Sequence, residues 1–335
     1  MIGPSIAVLG ATGNVGEALL ARLSTSALAG AQVAAYASRA TRRETVEFGS
    51  STLPVRTLAE AAESGASLVL CALPPALAQR TVPSFIARGA LVIDVGNSCG
   101  STFPGPLCLP DVRPVDEAAV TRAGGARTPG AVGWMLATVL APLLPLGAWG
   151  VTGLVNLPVT AYGRLATEEF SEQVVASFNS KDPPRRRFPE GIAFDTLPED
   201  VDTGEWSARE RGAASEVSEL LGVNPGRIGV QVCTQPIFTG MTAAVHIRGV
   251  DDAEAAEAAL REALGLATSA RMRALRPRKV MSRTPVYFGG VRADPAGDGI
   301  HLWLAADNLA GAGAAVPVLL AERLLGAGIS SGTEA

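Results

Sequence analysis

The sequence predicts an α/β protein that begins with a Rossmann-type, doubly wound parallel sheet. A short apolar strand, Ile6 to Leu9, opens the chain and leads into glycines at positions 10, 13 and 16. A segment with apolar residues at helical spacing, Glu17 to Leu23, follows directly. Further apolar runs then alternate with helical patterns, which is the arrangement of a parallel sheet with crossover helices.

The three glycines have distinct expected roles. Gly10 permits a tight turn, Gly13 lets a phosphate approach the backbone, and Gly16 lets the helix pack closely on the strand. The free amides at the start of the helix favour an anion such as a dinucleotide pyrophosphate. The spacing, G-x-x-G-x-x-G, is a variant of the usual fingerprint, and a purely structural turn remains the alternative.

The residues after the second predicted strand, Gln32 to Ala37, indicate which cofactor binds. An NAD site usually carries an acidic residue about 20 residues after the glycine loop, whereas this chain has Ser38 and Arg39, with two more arginines at positions 42 and 43. A hydroxyl and guanidinium groups bind a 2′-phosphate. The sequence therefore predicts NADP rather than NAD; the alternative is a solvated basic turn.

The remaining elements follow in order. Strands are expected at 67–73 and 90–95, with a crossover helix at 75–88 between them. From Thr128 onwards we expect helices at 132–144, 165–179, 208–221 and 253–264, strands at 150–160, 228–235, 242–248 and 299–305, and a C-terminal helix at 314–325. The Pro- and charge-rich stretch 181–190 is predicted to be a solvated loop. We expect the last helix to return to the first domain, which gives a nucleotide domain of residues 1–127 and 306–335 and a second domain of residues 128–305.

Composition excludes several classes of partner. The 335 residues carry a net charge of −4 with both signs scattered, which argues against nucleic-acid binding. The sequence has no apolar run of about 18 residues and no signal-like start, so we expect a cytoplasmic protein with no membrane contact. The four cysteines lack metal-ligand spacing, so we expect reduced thiols and no metal.

Five segments resemble motifs of the aspartate-semialdehyde dehydrogenase family, in the family's order and over almost the whole chain. They are Gly10–Gly16, Ser38-Arg39, Ile93–Ser98, Ile192–Phe194 and Asp307–Ala312. The resemblance implies a Rossmann domain completed by the C-terminal helix, an α+β dimerisation domain, NADP as cofactor and a homodimer. The cofactor-binding positions that it implies are Gly10, Thr12, Gly13, Asn14, Val15, Ser38, Arg39, Ala72, Pro74, Asn97 and Asn308.

The same resemblance implies that the catalytic machinery is lost. The family reduces aspartyl phosphate through a cysteine thioester, which needs a thiolate, a histidine acid/base and cationic residues for the carboxylate and phosphate. The nucleophile position carries Gly130 and the histidine position Met241. The three cationic positions carry Thr102, Thr234 and Gly212. This pattern resembles the divergent paralogues called USG-1 proteins.

Few other residues offer catalytic chemistry. Cys99, which follows Asn97-Ser98 at a strand end, is a candidate for a displaced nucleophile, although free cysteine is more often a small buried hydrophobe. His246 and His301 are expected to be structural. Trp134 is expected to fill the pocket that admits substrate in active relatives.

Two arginines, Arg209 and Arg211, flank the lost lysine position on the helix at 208–221. They either bind an anion or form a solvated helix face. Three functions therefore stay open for the chain. It is an NADP-binding homodimer without thioester chemistry, an oxidoreductase acting on an unknown carbonyl compound, or a dimeric scaffold that binds no nucleotide.

Overall fold

The computed structural model describes residues 4–38, 44–199, 204–269 and 271–326. The chain divides into two compact units, one of residues 1–131 with 312–335 and the other of residues 132–311. The strands are β1 (Ser5–Leu9), β2 (Gln32–Ala37), β3 (Thr45–Phe48), β4 (Ser51–Thr57), β5 (Leu68–Cys71), β6 (Leu91–Asp94), β7 (Gly125–Arg127), β8 (Gly150–Pro158), β9 (Leu197–Pro198), β10 (Ile228–Gln235), β11 (Met241–Arg248), β12 (Leu266–Thr268), β13 (Val286–Ala293) and β14 (Gly299–Ala306). The helices are α1 (Asn14–Leu23), α2 (Leu58–Ala62), α3 (Pro75–Ile86), α4 (Glu117–Ala123), α5 (Ala131–Leu140), α6 (Arg164–Phe178), α7 (Ala208–Leu221), α8 (Ala253–Glu262), α9 (Pro277–Val280) and α10 (Val316–Leu324).

The first unit contains a sheet with the spatial order β3-β4-β2-β1-β5-β6-β7. Every neighbouring pair is parallel except the β3–β4 hairpin at the edge. Without β3 this is the doubly wound order, with β1 at the centre and helices on both faces. The central strands are almost continuously apolar and buried, as expected of strands covered on both faces.

Two clusters of buried apolar residues lie among the described residues of this unit. In one, apolar residues of α1 pack with Val318, Leu320 and Ala321 of α10. In the other, Val82 and Phe85 of α3 pack with β-strand residues. The backbone N–H of Ala27 also donates to Glu322 Oε1 at 2.9 Å. Helix α10 therefore packs on α1 within the first unit.

The second unit contains a mixed sheet with the order β12-β13-β14-β11-β8-β10-β9. Strands β8 and β10 are parallel, and β11 pairs antiparallel with both β8 and β14. Every residue from Val132 to Leu140 of α5 is buried, which agrees with its lack of a polar face. Among the described helices none combines the length and apolar content that a membrane span requires.

Among the described residues, the fold differs from the sequence prediction at the C-terminal helix, at three short helices (α2, α4 and α9) and at six strands, of which β3, β4 and β13 are the longest. Residues Leu309–Ala315 form a π-helix before α10, in a run of glycine and small apolar residues. Strand β3 was not predicted because it has only four residues, and β4 was not predicted because Pro54 interrupts its pattern. Strand β13 was not predicted because Gly289 and Gly290 interrupt its pattern, and a register shift occurs between Gly289 and Arg292.

Candidate cofactor site and the predicted catalytic positions

The glycine loop follows β1 at the centre of the first sheet. Gly10 has φ +80°, and a Cβ there would overlap the carbonyl oxygen of Ala72 at the end of β5. A Cβ on Gly16 would overlap the Gly10 carbonyl and lie 2.7 Å from Ala11 Cα. These contacts confirm the predicted turn and close-packing roles. At Gly13 a Cβ would contact only the Gly10 oxygen, at 3.3 Å, so this side of the loop is open.

The predicted cofactor positions of the first unit gather at one edge of the sheet. Helix α1 begins at Asn14, and its N-cap, Gly13, has no side chain to occupy the first-turn amides. Strands β2 and β5 flank β1 on opposite sides and end at the same edge, so their successors Ser38, Ala72 and Pro74 adjoin the loop. Thr12 is buried and Val15 is half-buried at the start of α1. Arg39 lies outside the described residues.

A polar cluster follows β6. The Asp94 carboxylate is fully buried, and its Oδ2 accepts the backbone N–H of Cys99 at 2.8 Å. Asn97 adopts φ +55°, and its Oδ1 accepts a bond from Arg127 Nη1 at 3.2 Å. Arg127, whose Nε donates to the Gly105 carbonyl at 2.8 Å, fixes the loop that carries Asn97. The sequence analysis did not predict this role of Arg127. The available signal was a single arginine directly before Thr128-Pro129.

The structure argues against Cys99 as a displaced nucleophile. Its residue is only 2% exposed, whereas the sequence interpretation needed a partly exposed thiol. Burial and the adjacent Asp94 charge raise the pKa of the Cys99 thiol to about 12. A thiol with such a pKa is almost wholly protonated at neutral pH, and the thiolate is the reactive form.

Burial also gives Asp94 a testable effect on stability. Burial raises the pKa of the Asp94 carboxyl to about 6, although the hydrogen bonds from the backbone amides of Cys99 and Ser98 act to lower it. The ordinary value is about 3.9, so the folded chain binds this proton more tightly, and stability falls as pH rises from about 4 to about 6. We expect Asp94→Asn, measured by urea unfolding at both ends of this window, to gain up to about 3 kcal/mol relative to the parent as pH rises. Parallel pH profiles for the two proteins would contradict this assignment.

Thr234, at a position where the resemblance implies a lost cation, belongs to a polar network in the second unit. Its Oγ1 donates to the Tyr162 hydroxyl at 2.6 Å, and that hydroxyl donates to Glu199 Oε1 at 2.7 Å. Arg209 Nε donates to the same carboxylate at 3.2 Å, and its guanidinium stacks 4.7 Å from the Tyr162 ring centroid. Arg209 is thus paired, not part of a purely solvated face. Burial raises the pKa of Tyr162 to about 12, so this hydroxyl stays protonated.

At the other four positions where the resemblance implies a lost catalytic or substrate-binding residue, the chain carries no carboxylate, imidazole, amine or thiol. Met241, the first residue of β11, is fully buried. Gly212 lies on α7, where a Cβ would meet nothing within 4 Å. Gly130 directly precedes α5. Thr102 donates its hydroxyl to the Cys99 carbonyl at 2.6 Å.

Trp134 is buried in the second unit, as the pocket-filling prediction requires. Its indole ring packs on Gly311, where a Cβ would lie 2.6 Å from Trp134 Cζ2. The small residue at position 311 therefore makes space for the indole. The contact with Gly311 thus explains how Trp134 of α5 fits into the core of the second unit.

Asn308 is the predicted cofactor position in the second unit. Its Nδ2 lies 3.4 Å from Thr160 Oγ1, and its buried Oδ1 has no hydrogen-bond partner among the described residues. The neighbouring Asp307 Oδ1 accepts the backbone N–H groups of Leu309 and Ala310, which fixes the start of the π-helix. A buried amide with an unused acceptor is a group that a polar ligand can satisfy.

Two family models match the chain. "Semialdehyde dehydrogenase, NAD binding domain" matches residues 5–119, and "Semialdehyde dehydrogenase, dimerisation domain" matches residues 142–310. The chain belongs to the semialdehyde dehydrogenase family. The glycine loop lies within the first match, and Thr234, Met241 and Asn308 lie within the second.

Similar proteins over almost the full length of the chain include both a USG-1 protein homolog and an aspartate-semialdehyde dehydrogenase. A USG-1 protein homolog from Azotobacter vinelandii is 29% identical, covering 96% of this chain and 97% of that protein. An aspartate-semialdehyde dehydrogenase from Rickettsia conorii is 27% identical with the same coverage of both chains, 96% and 97%. The solved structure of aspartate semialdehyde dehydrogenase II from Vibrio cholerae has a TM-score of 0.87 at 23% identity, covering 98% of this chain and 99% of its own. The predicted resemblance and fold class are confirmed.

Proposed function

We propose that this chain binds NADP(H) at its glycine loop and does not carry out the family's cysteine-thioester reaction. The observation that carries the first part is the loop itself: Gly13 offers an open backbone face at an uncapped helix start. When bound, the nicotinamide would supply hydride chemistry, while the chain's residues bind and orient the cofactor.

The second part of the proposal does not depend on a single aligned position. The chain has only four cysteines, and all of them are buried. Burial raises the pKa values of Cys71, Cys99 and Cys233, which disfavours the thiolate that a thioester requires. The two histidines, His246 and His301, stack on each other, and position 241 carries a methionine. An acid/base pair of cysteine and histidine is therefore not formed by the described residues.

We infer a homodimer from the match to a dimerisation domain, which spans residues 142–310. A dimer that binds NADP(H) without thioester chemistry would act through cofactor sensing or through a protein partner. The oxidoreductase alternative would require hydride transfer without covalent catalysis. The scaffold alternative would require that no nucleotide binds.

Thermal unfolding with NADPH, NADP, NADH and no ligand tests cofactor binding. A ligand that binds only the folded state stabilises it by about 2.7 kcal/mol at 100 times its Kd, and we expect a rise in Tm of roughly 5–10 °C with NADPH. NADH should give a much smaller shift. A Ser38→Asp variant should reverse this preference, because a carboxylate repels the 2′-phosphate. If none of the nucleotides raised the Tm, the proposal would be overturned and the scaffold alternative would remain.

An activity assay separates the pseudoenzyme from the oxidoreductase. We expect no turnover of aspartate semialdehyde with NADP and phosphate, at nucleotide concentrations that raise the Tm of the protein. A panel of aldehydes with NADPH extends the test to other carbonyl substrates. Turnover that survives in a Cys99→Ser variant would establish non-covalent hydride transfer, and turnover lost in that variant would restore Cys99 as nucleophile. The second result would overturn the second part of the proposal, whereas the first would favour the oxidoreductase alternative.

A further inference from the structure

Two histidines and one aspartate meet on the second sheet, outside the site described above. His246 of β11 and His301 of β14 are directly opposite each other across the antiparallel pair. Their rings stack with centroids 4.5 Å apart and an interplanar angle of 15°. Asp294 follows β13, which pairs with β14 on its other side. Its Oδ1 lies 3.1 Å from His301 Nε2, and its Oδ2 lies 3.8 Å from His246 Nε2.

The donor atoms of this His-His-Asp cluster are close enough to share one cation. One ligand atom from each residue lies within 4.8 Å of the other two. In a tetrahedral zinc site, bonds of about 2.0–2.1 Å place ligand atoms roughly 3.3 Å apart. The carboxylate–histidine separations, 3.1 and 3.8 Å, are near that value, and rotation of the stacked imidazole rings would bring their Nε2 lone pairs to converge on the ion. Two imidazoles and one carboxylate form a ligand set that zinc uses in proteins.

His246 provides a second observation that points to a ligand. Its Nε2 is buried, and it has no hydrogen-bond partner among the described residues. A buried ring nitrogen without a partner is costly, and a bound cation would use its lone pair. The side chains of His246 and Asp294 are 21% and 14% exposed, whereas that of His301 is 37% exposed, so water can supply a fourth ligand.

The surroundings of Asp294 resemble the outer shell of a metal site. The backbone amides of Ala296 and Asp298 donate to its carboxylate within the β13–β14 turn. Hydrogen bonds of this kind orient ligating carboxylates. Asp298 itself is bound by Arg248, at 2.6 Å, so it does not compete for the cation. Arg292, opposite His301 in the register, is exposed and its charge is solvated.

We propose that His246, His301 and Asp294 bind a divalent first-row transition metal of the zinc class. The three residues include no cysteine, so cysteine spacing gave no indication of the site, and His246 is distant in sequence from Asp294 and His301. The ion would join three neighbouring strands of the second sheet. Its role would be structural, since no catalytic position lies in the cluster.

Isothermal titration of the untagged, metal-stripped full chain with ZnCl2 tests the site. We expect one zinc per chain, and His246→Gln, His301→Gln and Asp294→Asn should each weaken binding by at least roughly 100-fold. Asp298→Asn, in the same turn, and Cys233→Ser should retain parental affinity. Titration with Co(II) should give tetrahedral d–d absorption without sulfur charge-transfer bands. Absence of zinc binding, or binding that all three ligand variants retain, would overturn the proposal.

Discussion

Replacing Glu169 with glutamine is expected to lower the free energy of unfolding by about 2–4 kcal/mol. Glu169 lies on α6 and is only 1% exposed. Its Oε1 accepts the backbone N–H groups of Arg186 at 3.0 Å and Phe188 at 3.1 Å, and its Oε2 accepts that of Arg187 at 2.7 Å. Glutamine has one acceptor oxygen, so its amide nitrogen would face a buried donor. The variant both loses a charge-assisted bond and leaves an N–H group unpaired.

Glu168→Gln is the matched control for this prediction. Glu168 is the preceding residue, its side chain is 53% exposed, and it pairs with Arg164 at 3.1 Å in an i,i+4 arrangement. Such exposed pairs contribute about 0.3–0.5 kcal/mol. Urea unfolding of both variants at pH 7 should therefore separate them clearly. Similar losses in the two variants would show that Glu169 does not organise the segment that follows α6.

The contacts of Glu169 show where sequence reasoning reached its limit. The stretch 181–190 was predicted to be a solvated loop, and its arginine side chains are indeed largely outward, with that of Arg186 62% exposed. The backbone is nevertheless fixed on α6 by Glu169 and by Gln173, whose Oε1 accepts the N–H of Ile192 at 2.7 Å. Glu168 and Glu169 are identical in type and adjacent, so no local pattern distinguishes the structural carboxylate from the solvated one.

Elements with strong local signals were predicted well. Helix α7 occupies the predicted range Ala208–Leu221, and its start has a capping box in which Ser207 Oγ accepts the N–H of Glu210. Strand β10 also occupies its predicted range, Ile228–Gln235. Both elements could be predicted because the apolar periodicity and the capping residues that define them lie close together in the sequence. Strand β13 depends instead on long-range pairing with β14, which the chain's glycine pair conceals.

The candidate sites divide in the same way. The glycine loop is encoded by residues that are neighbours in sequence, so its turn, its open face and its helix start could all be predicted. The network of Thr234, Tyr162 and Glu199 joins three separate elements, and the His-His-Asp cluster joins three strands. A polar group's partners across a sheet cannot be inferred from one sequence, because register and topology decide them.

Gly13→Ala is expected to abolish stabilisation by NADPH while leaving the fold nearly unchanged. Gly13 has φ −84° and ψ 166°, a conformation that alanine adopts without strain. The added methyl group would contact only the Gly10 carbonyl oxygen, at 3.3 Å, so we expect a loss of at most about 1 kcal/mol. The same methyl group would occupy the face that a pyrophosphate must approach. The rise in Tm with NADPH should therefore disappear, whereas Tm without ligand should fall by no more than roughly 4 °C.

Two other glycines make this prediction specific. A Cβ on Gly30 would meet nothing within 4 Å, so Gly30→Ala should keep both the parental Tm and the full NADPH shift. A Cβ on Gly16 would overlap the backbone of the loop, so Gly16→Ala should lose stability before ligand is added. Only Gly13→Ala should separate folding from binding. If Gly13→Ala retained the parental NADPH shift, the phosphates would not approach the chain at this face, and the cofactor would have to bind elsewhere in the nucleotide domain.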